Sequence, residues 1–133
     1  MLALSAATVG CSAGDAEPGK GVGPIGAQEL ADRISSDTAP VILDVRTREE
    51  FASGHIPGAI NLPVNEFATG LPALGLAHDE EIVVHCERGK RAAAAESVLG
   101  KSGYTQVRDL SGHMQGWRAA AQPVEGDVQP SGS

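Results

Sequence analysis

Bulky side chains are scarce in this chain. Of its 133 residues only four are aromatic (one Trp, one Tyr and two Phe), and two are Met. Its core must therefore be Ala, Val, Ile and Leu, with Phe51, Phe67, Tyr104 and Trp117 as isolated fillers. Cysteine is equally thin. Cys11 and Cys86 are the only two, too few for a disulfide framework, and Cys11 sits in a stretch with no core-forming pattern to bring it to Cys86. The four histidines show no metal-ligand spacing and the two distant cysteines add none, so neither a metal nor a cofactor is expected. No apolar run approaches the ~18 residues that a membrane-spanning helix needs. Positive charge is also in deficit, with 10 Lys and Arg against 17 Asp and Glu for a net of −7. That balance argues against nucleic acid or an anionic membrane surface as a partner.

Against this acidic background one short segment is cationic. Glu87, Arg88, Gly89, Lys90 and Arg91 carry three positive charges and one negative, a net of +2. The apolar run Val83-Val84-His85-Cys86 leads into them and an alanine-rich stretch follows. This is the pattern of a strand, a tight loop and a helix start, with the thiol where the strand ends. Backbone N–H groups of such a loop are unpaired and can turn inward, and the helix adds its positive end. A thiol seated there gains donors and nearby cations in its charged form, which favours the thiolate. A lone cysteine after a β-run is most often a small packing residue. Packing does not explain three cations within the next five residues, because each wants water or an anion. The segment reads as a nucleophilic cysteine that handles an anionic group.

The rest of the chain supplies the frame. Leu30, Ala31 and Ile34 have the spacing of a first surface helix over 27–35. Residues 41–45 form a short buried strand. Thr47 and Glu50 make a capping box, so a helix starts there, and Gly54 ends it. Residues 59–62 form a second strand fenced by Pro57 and Pro63, and 65–79 a loop with one helical turn. A central strand at 82–85 and a helix at 90–101 with four consecutive alanines come next, then a strand at 106–110 and a helical segment at 114–120. Residues 122–133 are polar, contain two prolines and read as a disordered tail. Strands alternating with helices predict an α/β fold, one domain with a parallel sheet and helices on both faces. Ligand sites in such sheets lie beyond the carboxyl ends of strands. Cys86 ends one strand, while Asp44 and Arg46 lie at or just past the end of another, where they support the same pocket. Asp44 is expected to accept loop N–H groups or pair with an arginine rather than to act as an acid–base catalyst.

Several stretches together resemble the rhodanese family. Val41-Ile42-Leu43-Asp44-Val45-Arg46, then Glu49-Glu50-Phe51, then residues 54–63 (Gly-His-Ile-Pro-Gly-Ala-Ile-Asn-Leu-Pro) are similar to its N-terminal signature. The Cys86 loop resembles its active-site loop, and Leu110-Ser111-Gly112 with Gly116-Trp117 its C-terminal signature. The resemblance covers residues 24–121. It departs from the family at His113, where a second glycine is usual, and at Ala92, where a serine is common. The resemblance implies a sulfurtransferase that takes a sulfane sulfur from a small anionic donor such as thiosulfate. Cys86 would hold the sulfur as a persulfide and pass it to cyanide or a thiol. The alternatives are a persulfide carrier or a non-catalytic binding module serving a protein partner. A phosphatase or arsenate reductase of the same fold is a weaker rival. Those loops place five residues between cysteine and arginine, whereas four separate Cys86 from Arg91, a cradle better sized for one sulfur atom.

Within the substrate-binding loop, residues 87–91, Arg91 is expected to fold over a group held at Cys86; the alternative is a salt bridge with Asp44, and the two are compatible. Arg88 is expected to steer the anion from an exposed position, and Glu87 to face solvent. Strand alternation turns His85 away from the thiol. His55 reads as a turn residue bonded to backbone, His78 as solvated, and His113 as part of the pocket edge. At the other end, Thr8-Val9-Gly10-Cys11 resembles an imperfect lipobox after a short apolar stretch, and 12–23 a flexible linker. Residues 1–23 thus read as a truncated signal segment with its linker. On that reading Cys11 is a lipidation candidate tethering a monomer in the cell envelope or periplasm, with the cytoplasm as the alternative.

Overall fold

Residues 23–126 are described in the computed structural model, and four short parallel strands organise them. Strands covered on both faces need no polar alternation, which is why the two central ones, Val41–Asp44 and Glu81–His85, are mostly apolar. β1 (Val41–Asp44) and β3 (Glu81–His85) lie at the centre, flanked by β2 (Ile60–Asn61) and β4 (Gln106–Asp109) in the order β2-β1-β3-β4. Asp44 lies opposite His85 and Val84 opposite Asp109. This register brings the carboxyl ends of three strands to one rim, with Cys86 one step beyond it.

Helices cover both faces, as the alternating pattern requires. On one face, α3 (Phe67–Gly70) and α4 (Lys90–Lys101) pack Phe67, Ala92, Ala95 and Leu99 against Leu43, Ile82 and Val84. On the other, α1 (Ala27–Ser35) and α5 (His113–Ala119) pack Leu30, Ala31, Met114 and Trp117 against Ile42 and Val83. Two of the four aromatics, Phe67 and Trp117, are fully buried, and truncating either to Ala is expected to cost about 3–5 kcal/mol. The short α2 (Arg48–Ser53) buries nothing. It is held by its capping box: Thr47 N–H donates to Glu50 Oε1 at 2.9 Å, and Glu50 N–H to Thr47 Oγ1 at 3.1 Å. No helix among the described residues is long and apolar enough to cross a membrane.

Two expectations are corrected. The stretch 65–79 is mostly helical: a 3-10 turn at Val64–Glu66 runs into α3 and then a second 3-10 turn at Leu71–Leu74. Phe67 and Leu71, four apart, both reach the core, but each piece is too short to show a period. The tail is not free from Gln122 onward. Trp117 Nε1–H donates to the Pro123 carbonyl at 2.8 Å, and Glu125 exchanges two 2.8 Å backbone hydrogen bonds with His55. The proposed lipidation site Cys11, and residues 127–133 of the tail, lie outside the described residues.

Candidate active site

Cys86 leaves the end of β3 with a free thiol only 1% exposed. Alternation along the strand sends its side chain to the α4 face with Ile82 and Val84. His85 turns the other way as expected, with Nε2 3.7 Å from Asp44 Oδ2 and Nδ1 3.2 Å from the Cys86 carbonyl. Burial pushes the His85 imidazole down, with Asp44 opposing in part. It is therefore a neutral core residue.

Two backbone donors converge on the sulfur: Gly89 N–H at 3.0 Å and Ala92 N–H at 3.4 Å from Sγ. The loop can close this tightly because Gly89 adopts φ +123°, a conformation that costs glycine little. Ala92 lies in the first turn of α4, whose amides have no intrahelical acceptor and carry partial positive charge. The inward N–H groups anticipated from the strand–loop–helix pattern are in place.

A hollow of about 320 Å³ opens over the thiol, lined by Cys86, Glu87, Arg88, Lys90 and Arg91. Arg88 and Lys90 are exposed, and among the described residues neither has an ion-pair partner. Arg91 is held differently. Its guanidinium forks onto Glu50, 2.7 Å to Oε1 and 3.1 Å to Oε2. The fork holds the Glu50 carboxyl down to about 2 and pushes Arg91 up, with the nearby Cys86 charge adding to the latter. The alternative for Arg91, a salt bridge with Asp44, is not formed, since Asp44 is occupied by Arg46. Arg91 still lines the hollow beside the thiol.

Asp44 and Arg46 form a buried unit one layer down. Asp44 accepts the Arg46 backbone N–H at 3.0 Å, and its two oxygens take the guanidinium at 2.8–3.1 Å. Both roles expected for Asp44 are filled at once. Arg46 also donates to the Gly54 carbonyl at 2.8 Å, and its Nη1 lies 3.5 Å from Glu87 Oε1. Arg46 faces a second cavity, about 440 Å³, that it shares with Glu50, Glu87 and Arg118, rather than the hollow over the thiol. Glu87 corrects another expectation: it is bound between Arg46 and Arg118, not directed to solvent. The two guanidinium groups offset its charge, so it opposes a thiolate at Cys86 less than an unpaired carboxylate would.

His113 is the residue that the sequence placed only loosely. It is buried beneath the loop, with Nδ1 accepting the Cys86 backbone N–H at 3.3 Å. The one sequence signal for it was its place at a position where glycine is usual. Among the described residues no group of three or more His, Cys, Asp or Glu is placed to hold a metal ion.

A family model described as a rhodanese-like domain matches residues 26–120. Human thiosulfate:glutathione sulfurtransferase is 38% identical over 101 residues, which cover 67% of this chain and 87% of that protein. A sulfurtransferase of Allochromatium vinosum is 29% identical over 111 residues, covering 84% of this chain and 99% of the relative. Among solved structures, a human single-domain sulfurtransferase superposes with a TM-score of 0.67 at 32% identity, covering 74% of this chain and 97% of that one.

Proposed function

Because the chain belongs to the rhodanese-like domain family, we propose that it is a thiosulfate sulfurtransferase acting through a Cys86 persulfide. The observation that carries this reading is the thiol at a strand end, facing two inward N–H donors under a hollow of net charge +2. The Cys86 thiolate attacks the outer sulfur of thiosulfate. A new S–S bond forms, the donor's own S–S bond breaks, and sulfite leaves with that electron pair. Cyanide or a thiolate then attacks the outer sulfur of the persulfide, forming thiocyanate or a new persulfide and returning the Cys86 thiolate. Charge balances in each displacement and no oxidant is needed. Splitting the transfer in two is nucleophilic catalysis by an activated cysteine.

Each part of the loop has a task in this scheme. The Gly89 and Ala92 N–H groups stabilise the sulfur anion before and after transfer, as fixed dipoles that need no reorganisation. Arg88 and Lys90, exposed and unpaired, raise the local concentration of the dianionic donor. Arg91 offers its charge and the N–H groups not engaged by Glu50 to the sulfite oxygens as charge builds on the leaving group. Glu50 fixes the guanidinium in position before the donor arrives, so it need not be ordered on binding. Initial rates with thiosulfate and cyanide varied together test the scheme. Parallel double-reciprocal lines are expected from two separate displacements, whereas intersecting lines would show that both substrates must be bound at once. A carrier that only accepts sulfur would load once and fail to turn over with either acceptor.

A further inference from the structure

The backbone N–H of Cys86 points away from the sulfur cradle, and a buried amide needs an acceptor. Cys86 lies past the end of β3, and it is His113 Nδ1 that takes this N–H at 3.3 Å. An accepting ring nitrogen carries no proton, so the neutral imidazole bears its hydrogen on Nε2. Asp109 Oδ2 lies 3.3 Å from Nε2, so the carboxylate stands beside the edge that bears the hydrogen. Behind Asp109 stands Glu96 of α4, whose carboxyl is raised to about 8 by burial and by its hydrogen-bonded neighbour Asp109. Asp109, His113 and the amide of Cys86 thus lie in series.

His113 also touches the other end of the cradle. A Cβ built on Gly89 would lie 2.9 Å from His113 Nε2, so the imidazole rests directly against the Gly89 backbone. Gly89 supplies the shorter of the two N–H bonds to Sγ. One ring therefore fixes both the residue carrying the sulfur and the closer of its two donors. His113 does so from φ +53°, a left-handed conformation that glycine would adopt without strain.

We propose that His113 is a positioning residue for the sulfur chemistry: its Nδ1 holds the Cys86 amide, and its ring braces Gly89, so that Sγ keeps its donors. The proposal rests on the sulfurtransferase reading for its effect on turnover, but not for its effect on the thiol. The test compares the full chain with His113→Asn and His113→Gly. Asn offers Oδ1 where Nδ1 stood and tolerates the left-handed backbone. Gly fits the backbone but offers no acceptor. Thermal melting establishes that each variant is folded at the assay temperature. Two quantities are read: kcat/KM for thiosulfate with cyanide, and the pH midpoint of Cys86 alkylation by iodoacetamide, followed on the Cys86 peptide by mass spectrometry. The midpoint reports the thiolate and not ease of entry.

His113→Gly is expected to lose about 10- to 100-fold in kcat/KM, the range seen when a supporting partner of a reactive group is removed. Its alkylation midpoint is expected to move up by roughly one pH unit as the sulfur loses donors. His113→Asn, which keeps the acceptor but not the brace, is expected to fall between wild type and His113→Gly in both. A His113→Gly protein matching wild type in both readouts would overturn the proposal, and so would Asn falling as far as Gly. If wild type itself shows no turnover, the sulfurtransferase reading fails, and the alkylation midpoints still decide the role of His113.

Discussion

Charged groups gather at both ends of this sheet. At the amino-terminal end of β3, Glu81 takes two 2.8 Å hydrogen bonds from Arg33 and one of 2.9 Å from Arg108. Burial works to raise the Glu81 carboxyl, and the two arginines outweigh it and hold it down. The hollow beside this cluster, about 410 Å³, is lined by one cation, Arg33, and three carboxylates, Asp79, Glu80 and Glu81, a net of −2. At the carboxyl-terminal end the hollow over Cys86 has one carboxylate and three cations, a net of +2. The two hollows are similar in size and opposite in sign. The same arginine–carboxylate forks appear at both ends, yet only at one do exposed cations and a thiol stand beside them. Ion pairs therefore do not mark the site. In the proposed scheme what marks it is the pair Arg88 and Lys90, without ion-pair partners among the described residues, beside the Cys86 thiol.

The comparison can be broken in graded steps. Glu81→Ala leaves Arg33 and Arg108 facing each other over a buried gap, and is expected to cost about 3 kcal/mol of stability. Denaturant unfolding measures this, while kcat/KM for thiosulfate should stay near wild type at temperatures where the variant is folded. Arg91→Ala should do the reverse, lowering kcat/KM for thiosulfate by at least ~10-fold with a small effect on melting. Arg88→Ala should cost less than Arg91→Ala, because steering by an exposed charge is weaker than a fixed fork. Equal losses for the two, or none for either, would mean that the loop N–H groups suffice. Steering is also screened by salt, so kcat/KM for the dianionic donor should fall as ionic strength rises toward 0.5 M, and more than for an uncharged donor.

A further effect, on stability against pH, concerns Glu96. Its carboxyl sits at about 8 in the folded chain against an ordinary value of 4.5. The folded state therefore binds more protons than the unfolded state between those two values. Stability must fall as pH rises across this window and level off above it. Glu96→Gln removes the titration, so the variant should gain on wild type between pH 5 and pH 8.5 in melting temperature. A constant difference across that range would contradict the raised Glu96 carboxyl.

What was legible in the sequence was local or periodic. The Cys86 loop could be read because strand, glycine, cations and helix start are adjacent, and the α2 capping box because Thr47 and Glu50 are three residues apart. The same Glu50 also grips Arg91, 41 residues later, and nothing local announces that. Glu87 looked solvent-directed because a carboxylate beside a thiolate opposes its formation, whereas its partner Arg118 is 31 residues away on α5. His113 reaches Cys86 across 27 residues. Each missed contact is a side-chain pairing set by the register β1-β3-β4 and by where α5 returns over the sheet. Periodicity shows which face an element buries, but not which residues of two elements meet at the rim.

The claim on which the rest depends is that Cys86 carries the sulfur. Incubation with thiosulfate, removal of the donor and intact-mass measurement test it directly. Wild type is expected to gain about 32 Da, one sulfur atom, and to lose it again on adding cyanide, with no gain in Cys86→Ser. An adduct of that mass on Cys86→Ser, or none on wild type, would contradict the account.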